Sequence, residues 1–216
     1  MKYNTVIFDM DGTILDTLED LHGSVNYALK RMGFPERSLA EIRSFLGDGI
    51  VMTVKRSVPK DSDEEMIKKC VELFRAHYAN NMNNKTKPYE GILDLITRLR
   101  QKGIKTAVVS NKSEYAVVEL CEKMFFGLFD VIVGQTEDRK PKPEPDGVIY
   151  AIERLGVGKD EVIFVGDSDV DVLTAQNAGL SCVGVTWGFR DREVLERMKA
   201  DFIIDAPFEL LEIAFG

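Results

Sequence analysis

The pattern of apolar and polar positions divides the chain into two regions. Between residues 17 and 84, apolar side chains recur every three or four residues, as on one face of a helix, and no strand pattern interrupts them. Gly33-Phe34-Pro35 marks a helix end, and the pairs Ser38 with Glu41 and Ser62 with Glu65 have the spacing of a capping box at a helix start. From Tyr89 onward, short apolar runs alternate with helical segments instead.

This alternation predicts an α/β fold. The predicted strands lie at residues 6–8, 105–110, 131–133, 162–165, 182–185 and 202–204. Short apolar strands separated by helices are typical of a doubly wound parallel sheet, Rossmann-like, with helices on both faces. We therefore expect residues 1–16 and 85–216 to form an α/β core domain, with an all-helical domain of residues 17–84 inserted after the first strand. Ligands of such sheets bind beyond the carboxyl ends of the strands.

Composition narrows the class of protein. The 216 residues suffice for one sizeable core with an insertion, and the sequence has neither an apolar run of membrane-spanning length nor a signal-peptide pattern. We expect a cytoplasmic protein without a membrane partner. The net charge of −8 argues against nucleic acid as a partner and requires any anionic substrate to find local positive charge. Cys70, Cys121 and Cys182 lack metal-ligand spacing and are interpreted as core residues. Whether the protein is a monomer or a dimer is undetermined.

The first predicted strand ends in a group of polar residues, Asp9-Met10-Asp11-Gly12-Thr13. Side chains two apart on an extended segment point to the same side, so the carboxylates of Asp9 and Asp11 repel each other unless a cation lies between them. Gly12 allows a sharp turn or a close approach to a ligand, and Thr13 adds a hydroxyl. Taken alone, the segment is also compatible with a surface turn.

Later strands end in residues suited to binding an anion. Ser110-Asn111-Lys112 offers a hydroxyl, an amide and backbone N–H groups at an expected helix start, although a simple helix cap is the alternative. In Arg139-Lys140-Pro141-Lys142-Pro143, alternate prolines stiffen the backbone and would fix Lys140 in place, whereas Lys142 fits an exposed basic loop. Asp167 follows the fourth apolar run of the α/β region and can meet Asp9, with Asp171 one helical turn further on.

These four segments, in this order, resemble the four motifs of the haloacid dehalogenase superfamily of phosphatases. The matching residues are Asp9-Met10-Asp11-Gly12-Thr13, Ser110-Asn111, Lys140 and Gly166-Asp167-Ser168 through Asp171. The helical insertion resembles the α-helical cap of that family. Leu46-Gly47-Asp48-Gly49 and Gly184-Val185-Thr186-Trp187-Gly188-Phe189 are similar to the phosphoglycolate phosphatase branch.

The resemblance implies a Mg²⁺-dependent hydrolysis through an aspartyl-phosphate. Asp9 would be the nucleophile and Asp11 the general acid and base. Mg²⁺ would be held by the Asp9 carboxylate, the backbone carbonyl of Asp11 and Asp167. The phosphate would be bound by the segment from Asp11 to Thr13 and by Ser110, Asn111 and Lys140, the last also serving catalysis, while Asp171 would orient Lys140 or a metal-bound water.

The substrate is expected to be a small phosphorylated metabolite, with phosphoglycolate as the leading example. Gly47, Asp48 and Gly49 would read the part of the substrate beyond the phosphate, since two glycines permit close approach. Alternatives are a phosphosugar mutase of the β-phosphoglucomutase kind, or a pyrophosphatase or nucleotidase of the same superfamily. A non-catalytic phosphate-binding module is disfavoured because both Asp9 and Asp11 are present.

Overall fold

A computed structural model describes residues 2–216, which form two compact units. The α/β unit comprises the chain up to Leu15 and from Pro88 to Gly216, and the helical unit comprises Asp16–Lys87. The sequence placed the inserted domain at residues 17–84. Within residues 2–216, every helix falls short of the length and apolar character that crossing a bilayer requires.

The α/β unit alternates strands and helices from residue 88 onward. Its six sheet strands are β1 (Thr5–Phe8), β4 (Lys105–Ser113), β5 (Val131–Gln135), β6 (Val162–Gly166), β7 (Ser181–Val185) and β8 (Phe202–Ile204). Its helices are α5 (Ile92–Gln101), α6 (Glu114–Met124), α7 (Asp146–Leu155), α8 (Asp169–Ala178), α9 (Arg192–Arg197) and α10 (Glu209–Phe215), with a 3-10 turn at Lys159–Glu161. Two-residue strands, β2 (Leu15–Asp16) and β3 (Lys87–Pro88), stand at the unit boundaries and were not predicted.

The six strands are all parallel and lie in the order β5-β4-β1-β6-β7-β8. This confirms the predicted doubly wound sheet. Phe8, the last residue of β1, is in register with Val108 of β4 and Val165 of β6. The residues that follow these three positions therefore emerge side by side. The strand order reverses between β1 and β6, which is where such sheets bind their ligands.

The two faces of the sheet follow from the alternation of side chains along its strands. Ile7 of β1 and Phe164 of β6 pack into a core cluster that also contains residues of α7, α8 and α9. Phe8 points to the opposite face, where its ring contacts that of Phe129 edge to face. Both faces of β1 are fully buried, which explains why its sequence is a continuous apolar run rather than an alternating one.

The helical unit contains α1 (Leu18–Arg31), α2 (Leu39–Phe45), α3 (Ile50–Ser57) and α4 (Glu64–Tyr78). The predicted capping box is present at α2, where Ser38 and Glu41 bond to each other's backbone N–H groups. At α4 the prediction was one residue off, because Asp63 rather than Ser62 accepts the cap hydrogen bond, from the N–H of Met66. The buried carboxylate of Asp20 in α1 accepts hydrogen bonds from Lys85 and Thr86, which ties the end of the unit to its first helix.

Candidate active site

The end of β1 places Asp9 at the centre of the site. Asp9 is buried, and its backbone N–H donates to the carbonyl of Val165 at 2.8 Å, so it continues the sheet ladder by one residue. The chain then turns at Gly12, which has a φ of +90°. A side chain at Gly12 would overlap Asp167, since a Cβ there would lie 2.5 Å from its Oδ2. Glycine is therefore required at this position both by the backbone and by the neighbouring carboxylate.

The positive charge beside Asp9 comes from Lys142. The Nζ of Lys142 lies 2.7 Å from Oδ1 of Asp9 and 2.6 Å from Oδ1 of Asp171. The lysine side chain is 5% exposed, and its Nζ also faces the ring of Phe164. Lys140, which the sequence analysis selected, is exposed. The structure thus corrects that assignment: the lysine of this site is Lys142, two residues further along the same loop.

Asp171 is held where it can meet Lys142 by the start of α8. Its Oδ2 accepts hydrogen bonds from the N–H and the hydroxyl of Ser168, at 3.0 and 2.6 Å, in a capping box. Gly166 leaves room for it, because a Cβ there would lie 2.2 Å from the Cβ of Asp171. Asp171 therefore has one carboxylate oxygen bonded to the start of its own helix and the other to Lys142.

Asp167, just beyond β6, is fixed from two sides. The Thr13 hydroxyl donates to its Oδ1 at 3.1 Å, and the N–H of Phe189 donates to its Oδ2 at 2.7 Å. The loop that carries Phe189 approaches Asp167 and Gly12 closely. A Cβ on Gly188 would lie 2.3 Å from the Cβ of Asp167 and 2.4 Å from the carbonyl oxygen of Gly12. Trp187 anchors the same loop by donating its indole N–H to the carbonyl of Thr13 at 3.0 Å.

Asp9, Asp167 and Asp171 form a cluster suited to a divalent cation. Their carboxylate oxygens lie within 4.8 Å of one another, and all three residues are buried. Burial, with further contributions from Asp171 and Asp11, raises the pKa of Asp9 to about 7 despite the opposing charge of Lys142. Burial together with Asp171 and Asp9 also raises the pKa of Asp167 well above its usual range. One lysine leaves the three acids short of positive charge, which a metal bound by oxygen ligands would supply.

Lys142 itself remains charged. Burial alone lowers the pKa of a lysine, but the paired carboxylates Asp171 and Asp9 outweigh this and raise it above its usual value. The ammonium group is therefore a permanent cation at the strand ends. The side chain of Asp11 lies outside the three-carboxylate cluster, and a ligand role for its backbone carbonyl stays a prediction.

The end of β4 differs from the sequence expectation. Ser110, Asn111 and Lys112 were placed at a helix start, but β4 continues to Ser113 and α6 begins at Glu114. The side chain of Asn111 holds the loop of Lys142: its Nδ2 donates to the Lys142 carbonyl at 3.0 Å, and its Oδ1 accepts from the Lys142 N–H at 2.7 Å. The buried hydroxyl of Ser110 accepts from the N–H of Lys112 at 3.3 Å.

Asp11 is paired with Lys112. The Nζ of Lys112 lies 2.8 and 2.9 Å from the two carboxylate oxygens of Asp11. Sequence reasoning assigned no role to either the Lys112 or the Lys142 side chain. A signal for Lys112 was nevertheless present, because Ser110 and Lys112 are two residues apart and so share one side of an extended strand, as Asp9 and Asp11 were argued to do.

Gly47, Asp48 and Gly49 belong to the helical unit, between α2 and α3. Gly47 and Gly49 have positive φ angles of 117° and 81°, which favour glycine. The carboxylate of Asp48 forms an ion pair with Arg56 at 2.5 Å. A role of this loop in reading the substrate stays a prediction.

Comparison with known proteins places the chain in a family. The model of the haloacid dehalogenase-like hydrolase family matches residues 6–185. A candidate pyrophosphatase, PpaX, from Caldanaerobacter subterraneus is 36% identical over all of this chain and 96% of its own length. A phosphoglycolate phosphatase from Aquifex aeolicus is 33% identical over 96% of this chain and 95% of its own length. The crystal structure of a candidate phosphoglycolate phosphatase from Lactobacillus delbrueckii is 37% identical, covers 99% of both chains and superposes with a TM-score of 0.95.

The chain belongs to the haloacid dehalogenase-like hydrolase family, and its parallel α/β sheet with aspartates beyond the strand ends agrees with that membership. Within that family it is an enzyme of the phosphatase type, as its relatives indicate. The resemblance drawn from the sequence motifs is confirmed at this level.

Proposed function

We propose that this protein is a Mg²⁺-dependent phosphatase that hydrolyses a small phosphate monoester through an aspartyl-phosphate on Asp9, with phosphoglycolate as the leading substrate. The observation that carries the proposal is the position of Asp9, whose carboxylate lies beside the Lys142 ammonium and within a buried cluster of three aspartates. A carboxylate in that setting is held in one place and has a cation beside it that can also bind the phosphate.

The roles of the other residues follow from their positions. Asp11 lies two residues beyond Asp9 and is more exposed, which supports a role in protonating the leaving oxygen and later in accepting a proton from water. Lys142 takes the role first given to Lys140 and, with Ser110 and the N–H of Asn111, binds the phosphate oxygens. Bound Mg²⁺ would supply the positive charge that lets an anionic nucleophile approach an anionic phosphate.

Gly12 and Thr13 shape the phosphate-binding turn. Asp167 and Asp9 would be the metal carboxylates, with the backbone carbonyl of Asp11 completing the protein ligands. Asp171 would keep Lys142 in place. The helical unit would act as a cap whose loop at Gly47, Asp48 and Gly49 reads the remainder of the substrate.

Pyrophosphate is the second candidate substrate. The similarity to PpaX over the whole chain favours it. Both candidates carry a negative charge close to the bridging oxygen of the bond to be broken, so the catalytic residues proposed above apply equally to either. Localisation in the cytoplasm and the absence of a nucleic-acid partner remain part of the proposal.

The test is phosphate release from phosphoglycolate, pyrophosphate, sugar phosphates and nucleotides, with Mg²⁺ or with EDTA. We expect Mg²⁺-dependent release, with a preference for one ester. The variant Asp9→Asn should lose on the order of 10³-fold or more of the rate, because the nucleophile is removed while the side chain keeps its shape. Hydroxylamine added during turnover should convert the intermediate into a hydroxamate at Asp9, detectable by mass spectrometry.

Three results would contradict the proposal. Phosphate release by a pure Asp9→Asn preparation, or a hydroxamate on another residue, would remove Asp9 as the nucleophile. Phosphate release that EDTA does not affect would show that the reaction does not require a metal. Phosphoryl exchange between sugar phosphates, seen only when a sugar bisphosphate is added, would instead indicate a mutase.

A further inference from the structure

The ion pair between Asp11 and Lys112 lies on the more solvent-exposed side of the site. The side chains of Asp171, Lys142 and Asp9 are 1%, 5% and 10% exposed, whereas that of Asp11 is 20% exposed. Because the proposed function makes Asp11 the acid that protonates the leaving oxygen, the bridging oxygen of a bound substrate, and whatever follows it, would lie on the side of Asp11.

The ammonium group of Lys112 lies next to the Asp11 carboxylate. Its Nζ is 2.8 and 2.9 Å from the oxygens of Asp11, so any atom that contacts Asp11 lies within a few ångströms of the ammonium. An ester whose bridging oxygen contacts Asp11 would bring the group on the next atom into hydrogen-bond reach of Lys112, a distance of about 3 Å. A negative charge placed there would be met by a lysine side chain that is only 7% exposed.

We propose that Lys112 is a specificity-determining residue that binds an anionic group on the atom next to the bridging oxygen of the substrate. The group is either the carboxylate of an α-carboxylated ester, as in phosphoglycolate, or the second phosphoryl group of pyrophosphate. The proposal deepens the proposed function and rests on it, because it uses Asp11 as the residue that contacts the bridging oxygen.

The chemistry of the site supports a lysine shared between two anions. Lys142 already bridges the carboxylates of Asp9 and Asp171 at 2.7 and 2.6 Å, so an ammonium held between two acids is an arrangement that this fold builds. A hydrogen bond from a buried ammonium to an anion is stronger than a neutral one, and water competes little for it. The net charge of −8 makes such a local cation necessary for a substrate with two negative groups.

A purely structural role for Lys112 makes a different prediction. If the lysine only neutralised Asp11, its removal would affect every ester to the same extent, whatever the leaving group carries. If it also binds the substrate, its removal should lower the rate more strongly for substrates that carry the second negative charge. The two roles therefore separate in the ratio of rates on matched esters.

The first experiment compares kcat/KM for phosphoglycolate, pyrophosphate and ethyl phosphate, which has a methyl group where phosphoglycolate has its carboxylate. Lys112→Met and Lys112→Gln remove the charge with little change in length, and Lys123→Met removes an exposed lysine of α6 as the control. We expect Lys112→Met to lower kcat/KM for the anionic substrate that the wild type prefers about 10- to 100-fold more than for ethyl phosphate, whose loss reports the pairing with Asp11 alone. Equal losses of kcat/KM for the anionic substrate and for ethyl phosphate would overturn the proposal.

The second experiment does not depend on turnover. Calorimetry in the presence of Mg²⁺ measures the binding of 3-phosphonopropionate, methylenediphosphonate and propylphosphonate, which have a methylene group in place of the bridging oxygen. The wild type should bind one of the two doubly anionic compounds at least about tenfold more tightly than propylphosphonate, and Lys112→Met should abolish that difference. The compound that binds more tightly shows whether Lys112 binds a carboxylate or a second phosphoryl group.

The outcomes of the two experiments are distinguishable. If the wild type hydrolyses none of the esters, the proposed function fails, and the binding measurement still decides the role of Lys112. If Lys112→Met and Lys112→Gln retain the full affinity difference, Lys112 does not bind the anionic group, whether or not the protein is a phosphatase.

Discussion

Lys142 is the residue on which the charge balance of the site depends. It forms ion pairs with Asp9 and Asp171, two of the three acids of the buried cluster, so its removal would leave both without this cation. Removing one partner of a buried ion pair leaves an uncompensated charge and commonly costs about 3–5 kcal/mol of stability. Here the remaining acids can take up protons instead, since burial has already raised the pKa of Asp9 to about 7. Removal of Lys142 should therefore reduce the activity more than the stability of the fold.

The variant Lys142→Met tests this, with Lys140→Met as the matched control. We expect Lys142→Met to lower kcat at least about 100-fold, because it removes a charged donor from the phosphate oxygens and from Asp9. Lys140→Met changes an exposed side chain and should stay within about twofold of the wild type. Phosphate release measured for both variants decides the assignment, and the reverse order of losses would return the role to Lys140.

The choice between these two lysines illustrates what the sequence could not specify. Each lysine is followed directly by a proline in Lys140-Pro141-Lys142-Pro143, so both carry the same charge and both have a backbone restricted by the next residue. The difference arises from a contact distant in sequence, the two hydrogen bonds between the Asn111 side chain and the backbone of Lys142. By contrast, Asp9 and Asp167 could be predicted, because each directly follows an apolar run that only a buried strand explains.

At the scale of elements, hydrogen bonds to a residue of β4 hold the loop between β5 and α7 in place. Asn111 lies near the end of β4, which extends three residues beyond its predicted end at Ser110, and its amide binds both the N–H and the carbonyl of Lys142. This places the lysine relative to the strand that also carries Ser110. A displacement of about 1 Å in such a group can cost on the order of 100-fold in rate.

Asn111→Ala should therefore lower kcat by about 10- to 100-fold, while its melting temperature falls by only a few degrees, as about 1–3 kcal/mol would produce. Asn177→Ala serves as the comparison, since the exposed Asn177 donates one hydrogen bond, at 2.9 Å, to the carbonyl of Pro143 in the same loop. We expect a smaller effect from it. Kinetics below the melting temperature of each variant, with circular dichroism as the check on folding, would contradict the argument if Asn111→Ala kept wild-type kcat.

The elements of the sheet were predictable to within a few residues, for a physical reason. The apolar runs of β1 and β6 are buried on both faces, so each is a short continuous apolar segment that differs from amphipathic helices and from polar loops. The short strands β2 and β3 gave no such signal, since two residues cannot form a pattern. The continuation of β4 through Asn111 and Lys112 was missed because polar residues at a strand end have the same composition as a helix cap.

At the scale of the whole molecule, an acidic protein must attract an anionic substrate. The net charge of −8 opposes this, and the site opposes it further through Asp9, Asp167 and Asp171. Lys142 and Lys112 offset part of that charge, each in an ion pair with an aspartate. A bound divalent cation would offset the remainder, so metal binding and substrate binding should depend on each other.

The same charge balance predicts how Mg²⁺ stabilises the fold at different pH values. Burial raises the pKa of Asp9 to about 7 and that of Asp167 well above its usual range, so in the metal-free protein these groups hold protons at pH values where the unfolded chain has lost them. Because the folded pKa is raised, this protonation contributes stability that is fully present below the unfolded pKa and is lost as the pH rises towards 7. The metal must displace the same protons, which weakens its binding at low pH.

We therefore expect saturating Mg²⁺ to raise the melting temperature by several degrees at pH 8 and by much less at pH 5.5, since ligand binding to the native state stabilises it in proportion to the logarithm of affinity. Differential scanning calorimetry of wild type with Mg²⁺ or EDTA measures the shift at both pH values. Asp167→Asn should abolish the shift, while Asp169→Asn, which alters an acid paired with Arg190 outside the cluster, should leave it intact. A shift of equal size at both pH values would show that metal binding displaces no protons, and that the raised pKa values do not govern the metal site.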